Sequence, residues 1–193
     1  FEAVDTISSI IAEGLCALPA AIALGTTFLA TRRFAIAWQQ VSPKRAPQLW
    51  SLSTPTEASG FTYRVSPGDP NADDLALLVS VTSLVDPAFA ASRPALPRFR
   101  GLVAVTKPGD YPHDIATAGE AADVLHMIVE GLRKARADLQ PRGTVHLFLA
   151  VPAGLAMMIG QMLNTFGPIQ TYEHLAMDAV GAYQPAARLM PSA

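Results

Sequence analysis

The chain of 193 residues is half hydrophobic and 16% charged, with a formal net charge of −2 and a pI near 6.1. That is enough apolar material for one large domain or two small ones, and it supplies no global positive field for a nucleic-acid polymer. A small anionic ligand would need only a local cluster of Lys and Arg. Residue 1 is Phe, so the chain reads as a piece of a longer protein. The single cysteine, Cys16, has no internal disulfide partner and reads as a small buried hydrophobe, which suits a reducing, cytoplasmic setting.

Residues 9–15, SIIAEGL, make a poor buried strand because of Glu13 and Gly14. The next segment, GLCALPAAIALGTTFLAT at 14–31, carries no charge before Arg32 and Arg33. About 18 apolar residues would suffice to span a membrane. Gly14, Pro19 and Gly25 interrupt the run, so a buried helix is expected, with a membrane-anchored interaction domain as the alternative. No positively charged region precedes it, which argues against a signal peptide. A short turn and a strand then lead to Trp38–Gln39. The polar loop SPKRAP offers Lys44 and Arg45 to phosphates or to solvent, and Trp50 follows it. Residues 53–73 are rich in Pro and Ser and lack helical periodicity; they read as a connection, with a short strand at 61–65.

DLALLVSVT (74–82) is a near-continuous apolar run of the kind a strand shows when both its faces are covered. RGLVAVT (100–106) and TVHLFLAV (144–151) share that character. Between them, residues 115–139 carry an apolar stripe at Ala118, Ala121, Ala122, Val124, Leu125, Ile128, Val129 and Leu132. This predicts an amphipathic helix with Arg133, Lys134 and Arg136 in its last turns. The turn AVPAG then opens a helix of small residues, followed by a short strand through Tyr172–Glu173 and, after a loop, by Tyr183. Strands alternating with helices predict an α/β fold, with mainly parallel sheets covered by helices.

The chain also aligns with itself. Setting Ala17 against Pro152, an offset of 135, brings Ala21 over Ala156, Gly25 over Gly160, Phe28 over Leu163 and Phe34 over Ile169. Both copies read as helix, turn, strand, then an aromatic–polar pair and a second aromatic: Trp38–Gln39 with Trp50, and Tyr172–Glu173 with Tyr183. Two copies predict a pseudo-symmetric pair of units, since a solenoid needs about three or more. The first copy lacks a clear opening strand, so that strand is expected to be lost or helical.

No familiar catalyst is present. The chain has no G-x-x-x-x-G-K-[ST], no G-x-G-x-x-G and no G-x-S-x-G. His113, His126, His146 and His174 never stand three to five residues from another His or a Cys, so local spacing supports no metal site. His146, inside an apolar strand, reads as a satisfied core residue, and the adjacent His113 and Asp114 make a poor dyad. A binding surface remains. Ligands of open parallel sheets gather outside the carboxyl ends of the strands. Those places hold Thr82 and Ser83, Thr106 and Lys107, and Val151 to Gly154. The small residues Ala153 and Gly154 after Pro152 either let backbone N–H groups approach a ligand or simply form the turn. The aromatics Trp38, Trp50, Tyr172 and Tyr183 either stack on bases or belong to the core.

The block VHLFLAVPAGLAMMIGQMLNTFGPIQTYEH, followed by YQPAARL, resembles the C-terminal signature of SAVED domains at His146, Leu147, Phe148, Pro152, Leu155, Ala156, Gly160, Tyr172, Glu173, Tyr183 and Pro185. ALPAAIALG with AWQ and LW resembles the signature of that family's first half, and DLALLVSVT the strand opening its second. The resemblance implies two fused CARF-like, Rossmann-like units: a first half with its linker at 1–73 and a second half at 74–193. It implies a non-catalytic sensor that binds a cyclic di-, tri- or tetranucleotide between its halves, without cofactor or metal. It further implies a fused N-terminal effector in bacterial anti-phage defence of the CBASS and CRISPR type, switched on by ligand-driven self-association. Lys44, Arg45 and Lys107 are then the phosphate candidates, and Trp38, Trp50 and Tyr172 the stacking candidates. A Rossmann-like nucleotide-dependent enzyme is the rival class.

Overall fold

The computed structural model describes residues 9–28, 35–175 and 181–190. In chain order the elements are β1 (Ser9–Glu13), α1 (Leu18–Thr27), β2 (Ala35–Ser42), β3 (Arg45–Trp50), β4 (Thr62–Pro67), β5 (Asp74–Ser80), α2 (Asp86–Ser92), β6 (Phe99–Thr106), α3 (Ala118–Leu139), β7 (Val145–Ala150), α4 (Ala153–Met162), β8 (Ile169–Leu175) and β9 (Ala182–Leu189). They form a three-stranded sheet, β1-β2-β3, and a six-stranded sheet, β4-β6-β5-β7-β8-β9. In the larger sheet β6, β5, β7 and β8 are parallel, and β4 and β9 close its edges antiparallel.

Alternation within the central strands splits the core in two. Leu75, Leu77 and Val79 of β5 join Val103 and Val105 of β6 and Leu147 and Leu149 of β7 on the face covered by α3 and α4. Ala76 and Leu78 join Phe99 and Phe148 on the other face, under Phe89 of α2. Both registers of β5 and β7 are buried and the second register of β6 is half-buried, which is why their sequences show little polar alternation. The α3 stripe is buried as its periodicity predicts, from Ala121 to Ala135. The helix starts at Ala118 rather than 115 because Thr117 caps it. The Thr117 hydroxyl accepts the Glu120 N–H at 3.1 Å, and the Glu120 carboxylate accepts the Ala116 N–H at 2.6 Å.

The self-alignment corresponds to repeated structure. β1-α1-β2-β3 and β7-α4-β8-β9 share one order, a parallel pair linked by a helix and then an antiparallel hairpin. The spans of α1 and α4 coincide at the 135-residue offset over all ten residues. These two helices pack directly on each other. A Cβ on Gly25 would lie 2.1 Å from the Met157 carbonyl oxygen, and one on Gly160 would lie 2.2 Å from that of Ile22. Ile22 and Met157 are related by the same offset, so the contact is reciprocal, as a pseudo-two-fold relation requires.

Several expectations are corrected. Residues Ser9–Glu13 do form the opening strand: Ile10 and Ala12 pack inward while Ser9, Ile11 and Glu13 face solvent, so the Glu13 carboxylate never enters the core. Cys16 is exposed, because it lies in the β1–α1 connection rather than inside the helix. The apolar run at 14–31 yields a helix of only ten residues, and no helix among the described residues is long and apolar enough to cross a membrane. The short strand expected at 61–65 is present as β4, which pairs antiparallel with β6. Arg32, Arg33 and Phe34 lie outside the described residues.

Candidate functional site

From β5 the chain passes through α2 to β6 on one side, then through α3 to β7 on the other side of β5. Connections that diverge in this way leave a crevice outside the carboxyl ends of the two middle strands. A cavity of about 460 Å³ lies there. Thr82, Ser83 and Leu84 after β5 line it, with Pro87 of α2 and Leu149, Ala150 and Val151 at the end of β7. His174 of β8 and Tyr183 of β9 complete the second half's share, and Leu18, the first residue of α1, reaches in from the other half.

The cavity wall is tied together by its backbone. The Val81 and Thr82 N–H groups both donate to the Ala150 carbonyl at 2.9 Å, and the Ser80 hydroxyl accepts the Val85 N–H at 3.1 Å. Tyr183 is anchored by its own N–H, which donates to the Ser92 hydroxyl at 2.8 Å. Its ring meets Phe148 edge-on at 5.2 Å and lies tilted to His174 at 5.3 Å. Burial pushes the Tyr183 phenol well above its ordinary range, and the nearby Asp86 carboxylate pushes it further. The group therefore stays a neutral donor and acceptor at physiological pH. Gly181 sits at a φ of 72° where a Cβ would be 2.3 Å from His174 Nε2, so backbone and imidazole approach closely only because that residue is glycine.

The pseudo-equivalent place on the other side is filled. Trp38 and Trp50 face each other across β2 and β3, 4% and 2% exposed, and each approaches within 3.0 Å of where a Gly154 Cβ would stand. The Gly154 N–H donates to Gln40 Oε1 at 3.3 Å. The Pro152–Ala153–Gly154 turn is thus covered by the first-half hairpin, while Val151 just before it opens on the cavity. The two indoles pack a helix start instead of offering free faces.

Tyr172 is likewise enclosed. Its ring stacks on Phe148 at 4.4 Å, and its hydroxyl bonds His146 Nδ1 at 2.8 Å, with His146 Nε2 in turn 3.2 Å from Asp74 Oδ2. Burial, with help from the Asp74 charge, pushes its phenol up to about 12. The cationic candidates stand apart from the cavity. Lys107 Nζ donates to the Ser59 carbonyl at 2.7 Å and lies 5.7 Å over the Phe61 ring. Arg45 pairs with Asp114 at 2.7 Å, and Lys44 is exposed in the β2–β3 turn. The strand-end rule reaches Thr82, Ser83 and Val151, and the aromatic reading reaches Tyr183; neither reaches Leu18 or His174. The offset held a signal for Leu18, since it places that residue over Ala153. Among the described residues no group of three or more His, Cys, Asp or Glu could hold a metal ion.

A family model described as the SMODS-associated and fused to various effectors sensor domain, SAVED, matches residues 2–189. Solved structures resemble this fold. The Acinetobacter baumannii Cap4 SAVED/CARF-domain containing receptor with the cyclic trinucleotide 2′3′3′-cAAA superposes with a TM-score of 0.74 at 17% identity, covering 93% of this chain and 38% of that one. The same receptor with 3′3′3′-cAAA gives 0.72 at 18%, covering 95% and 39%. The Moraxella osloensis Cap4 receptor gives 0.64 at 17%, covering 94% and 36%. The chain thus spans under two-fifths of the length of these structural relatives. No curated protein matches the sequence.

Proposed function

Because the chain belongs to the SAVED family of sensor domains, we propose that it binds a cyclic oligonucleotide in the cavity at the ends of β5 and β7 and signals without breaking a bond. The observation that carries this reading is the cavity itself. It lies at the switch point of a parallel sheet, and residues of both halves line it, Leu18 from one and Thr82, Ser83, His174 and Tyr183 from the other. A ligand held there touches both halves at once, so occupancy is coupled to their relative position. Its size falls within the ~300–1,000 Å³ usual for small-molecule sites, and its lining mixes apolar surface with a few hydroxyls. Ligands of the structural relatives support a cyclic trinucleotide as the first candidate. Hydrogen bonds to charged groups contribute roughly 1.5–3 kcal/mol each and base stacks about 1–3, enough together for tight binding after association costs. In this reading a cytoplasmic effector fused upstream is activated when ligand-bound sensors self-associate.

Isothermal titration of the full-length protein against cyclic di-, tri- and tetranucleotides, with AMP and ATP as controls, tests the proposal. The expected result is saturable binding of one cyclic species, recovered chemically unchanged from the sensor. Silence across the panel overturns it.

A further inference from the structure

His174 and Tyr183 face each other across β8 and β9, and both line the cavity. Gly181 stands two residues before Tyr183, just ahead of β9, and the His174 ring lies against it. A Cβ on Gly181 would overlap His174 at both Nε2 and Cε1, and the next atom it would meet is the Leu175 carbonyl oxygen at 2.9 Å. The imidazole therefore occupies the place where a side chain of residue 181 would stand. Its partner ring cannot yield to one. Tyr183 is buried, held by Ser92 through its own N–H and by Phe148 edge-on. His174 is exposed and turns about two side-chain torsions, so it is the part that would move. The other hairpin offers the contrast. Two residues before Trp50 stands Gln48, whose side chain is spent on the Ala116 carbonyl and the Ala118 N–H, and the ring pair there packs a helix start.

From this arrangement we infer that Gly181 is a positioning residue for ligand binding: its missing side chain seats the His174 imidazole on the cavity wall, where the ring meets the ligand. The inference rests on the reading under Proposed function and names the residue pair that shapes its site. An imidazole offers a flat face and a nitrogen donor and acceptor, all of which suit a nucleobase. A side chain at 181 displaces that ring, and the wall changes shape while the strands behind it stay in place.

Gly181→Asn supplies a Cβ and tolerates the φ of 72°, so it reads the overlap with the ring rather than backbone strain. In the full-length protein, titrated with the cyclic species that the wild type binds, it is expected to weaken binding about tenfold or more. In a His174→Ala background, with no ring to displace, the same substitution is expected to change affinity by less than about twofold. Equal losses in the two backgrounds, or no loss in the wild type, overturn the inference and leave the sensor reading standing. A wild-type protein that binds no cyclic species overturns both. A second readout needs no variant at residue 181. The imidazole proton signal that disappears in His174→Ala should shift when the wild-type protein is saturated with ligand, and a signal unmoved at saturation overturns the contact.

Discussion

His146 has the geometry of an ion pair with Asp74 and the titration of a neutral ring. Its Nε2 lies 3.2 Å from Asp74 Oδ2, yet its pKa is held below the ordinary 6.5, because burial penalises the imidazolium more than the carboxylate favours it. The contact is therefore a hydrogen bond in a chain, Asp74 to His146 to Tyr172. The sign of its pH dependence follows. A folded-state pKa below the unfolded value contributes stability that is complete above the unfolded pKa and is lost as pH falls through the folded one. Urea midpoints of the wild-type protein should fall between about pH 7.5 and 5.5, and those of His146→Gln, which keeps hydrogen-bonding capacity but cannot titrate, should fall less. Equal slopes would show that His146 does not carry the dependence. The residue type and place were legible in the sequence, since a His inside an apolar strand must find partners. The partners were not, because Asp74 and Tyr172 come from neighbouring strands.

Between elements, the decisive contact is the one without side chains. Gly25 and Gly160 let α1 and α4 approach until a Cβ on either would meet the other helix's backbone near 2 Å. Gly25→Ala and Gly160→Ala should each destabilise by roughly 1–3 kcal/mol, as overpacked sites do. The double variant should cost clearly less than the sum, because either methyl alone already forces the same separation. Urea unfolding of the four proteins measures this, and strict additivity would refute a shared contact. Here the sequence was partly informative: an ungapped offset superposed the two glycines, but only the structure shows that the helices meet there. It was uninformative about the hairpins beyond. Trp38–Trp50 and His174–Tyr183 are facing pairs in the two hairpins, yet one pair fills the space beside a helix start and the other lines a cavity. Residue bulk and register decide that difference, and an alignment of aromatics with aromatics hides it.

Over the whole molecule, the central strands β5, β6 and β7 were readable because their apolar residues serve both core clusters, whereas the exposed edge strand β9 was not read as a strand. Nor was β1, since a strand covered on one face at a sheet edge keeps residues such as Glu13. Of the ten residues that line the cavity, the sequence pointed to Thr82, Ser83 and Val151, because they stand at strand ends. Strand ends are local features, whereas the approach of Leu18 to Tyr183 depends on how two distant segments dock. If ligand binding drives assembly, sedimentation of the full-length protein should show a larger species on adding the cyclic nucleotide that titrates, and an unchanged mass at saturation would exclude that route to activation. The glycine crossing bears on how such a signal would travel. Leu18 stands at the first residue of α1, and the crossing at Gly25 lies two turns along, about 10 Å away at 1.5 Å per residue. A ligand that wedged Leu18 aside would press on one arm of a lever whose fulcrum is backbone against backbone. With backbone meeting backbone at that pivot, a displacement at the cavity would emerge as tilt of α1 upon α4.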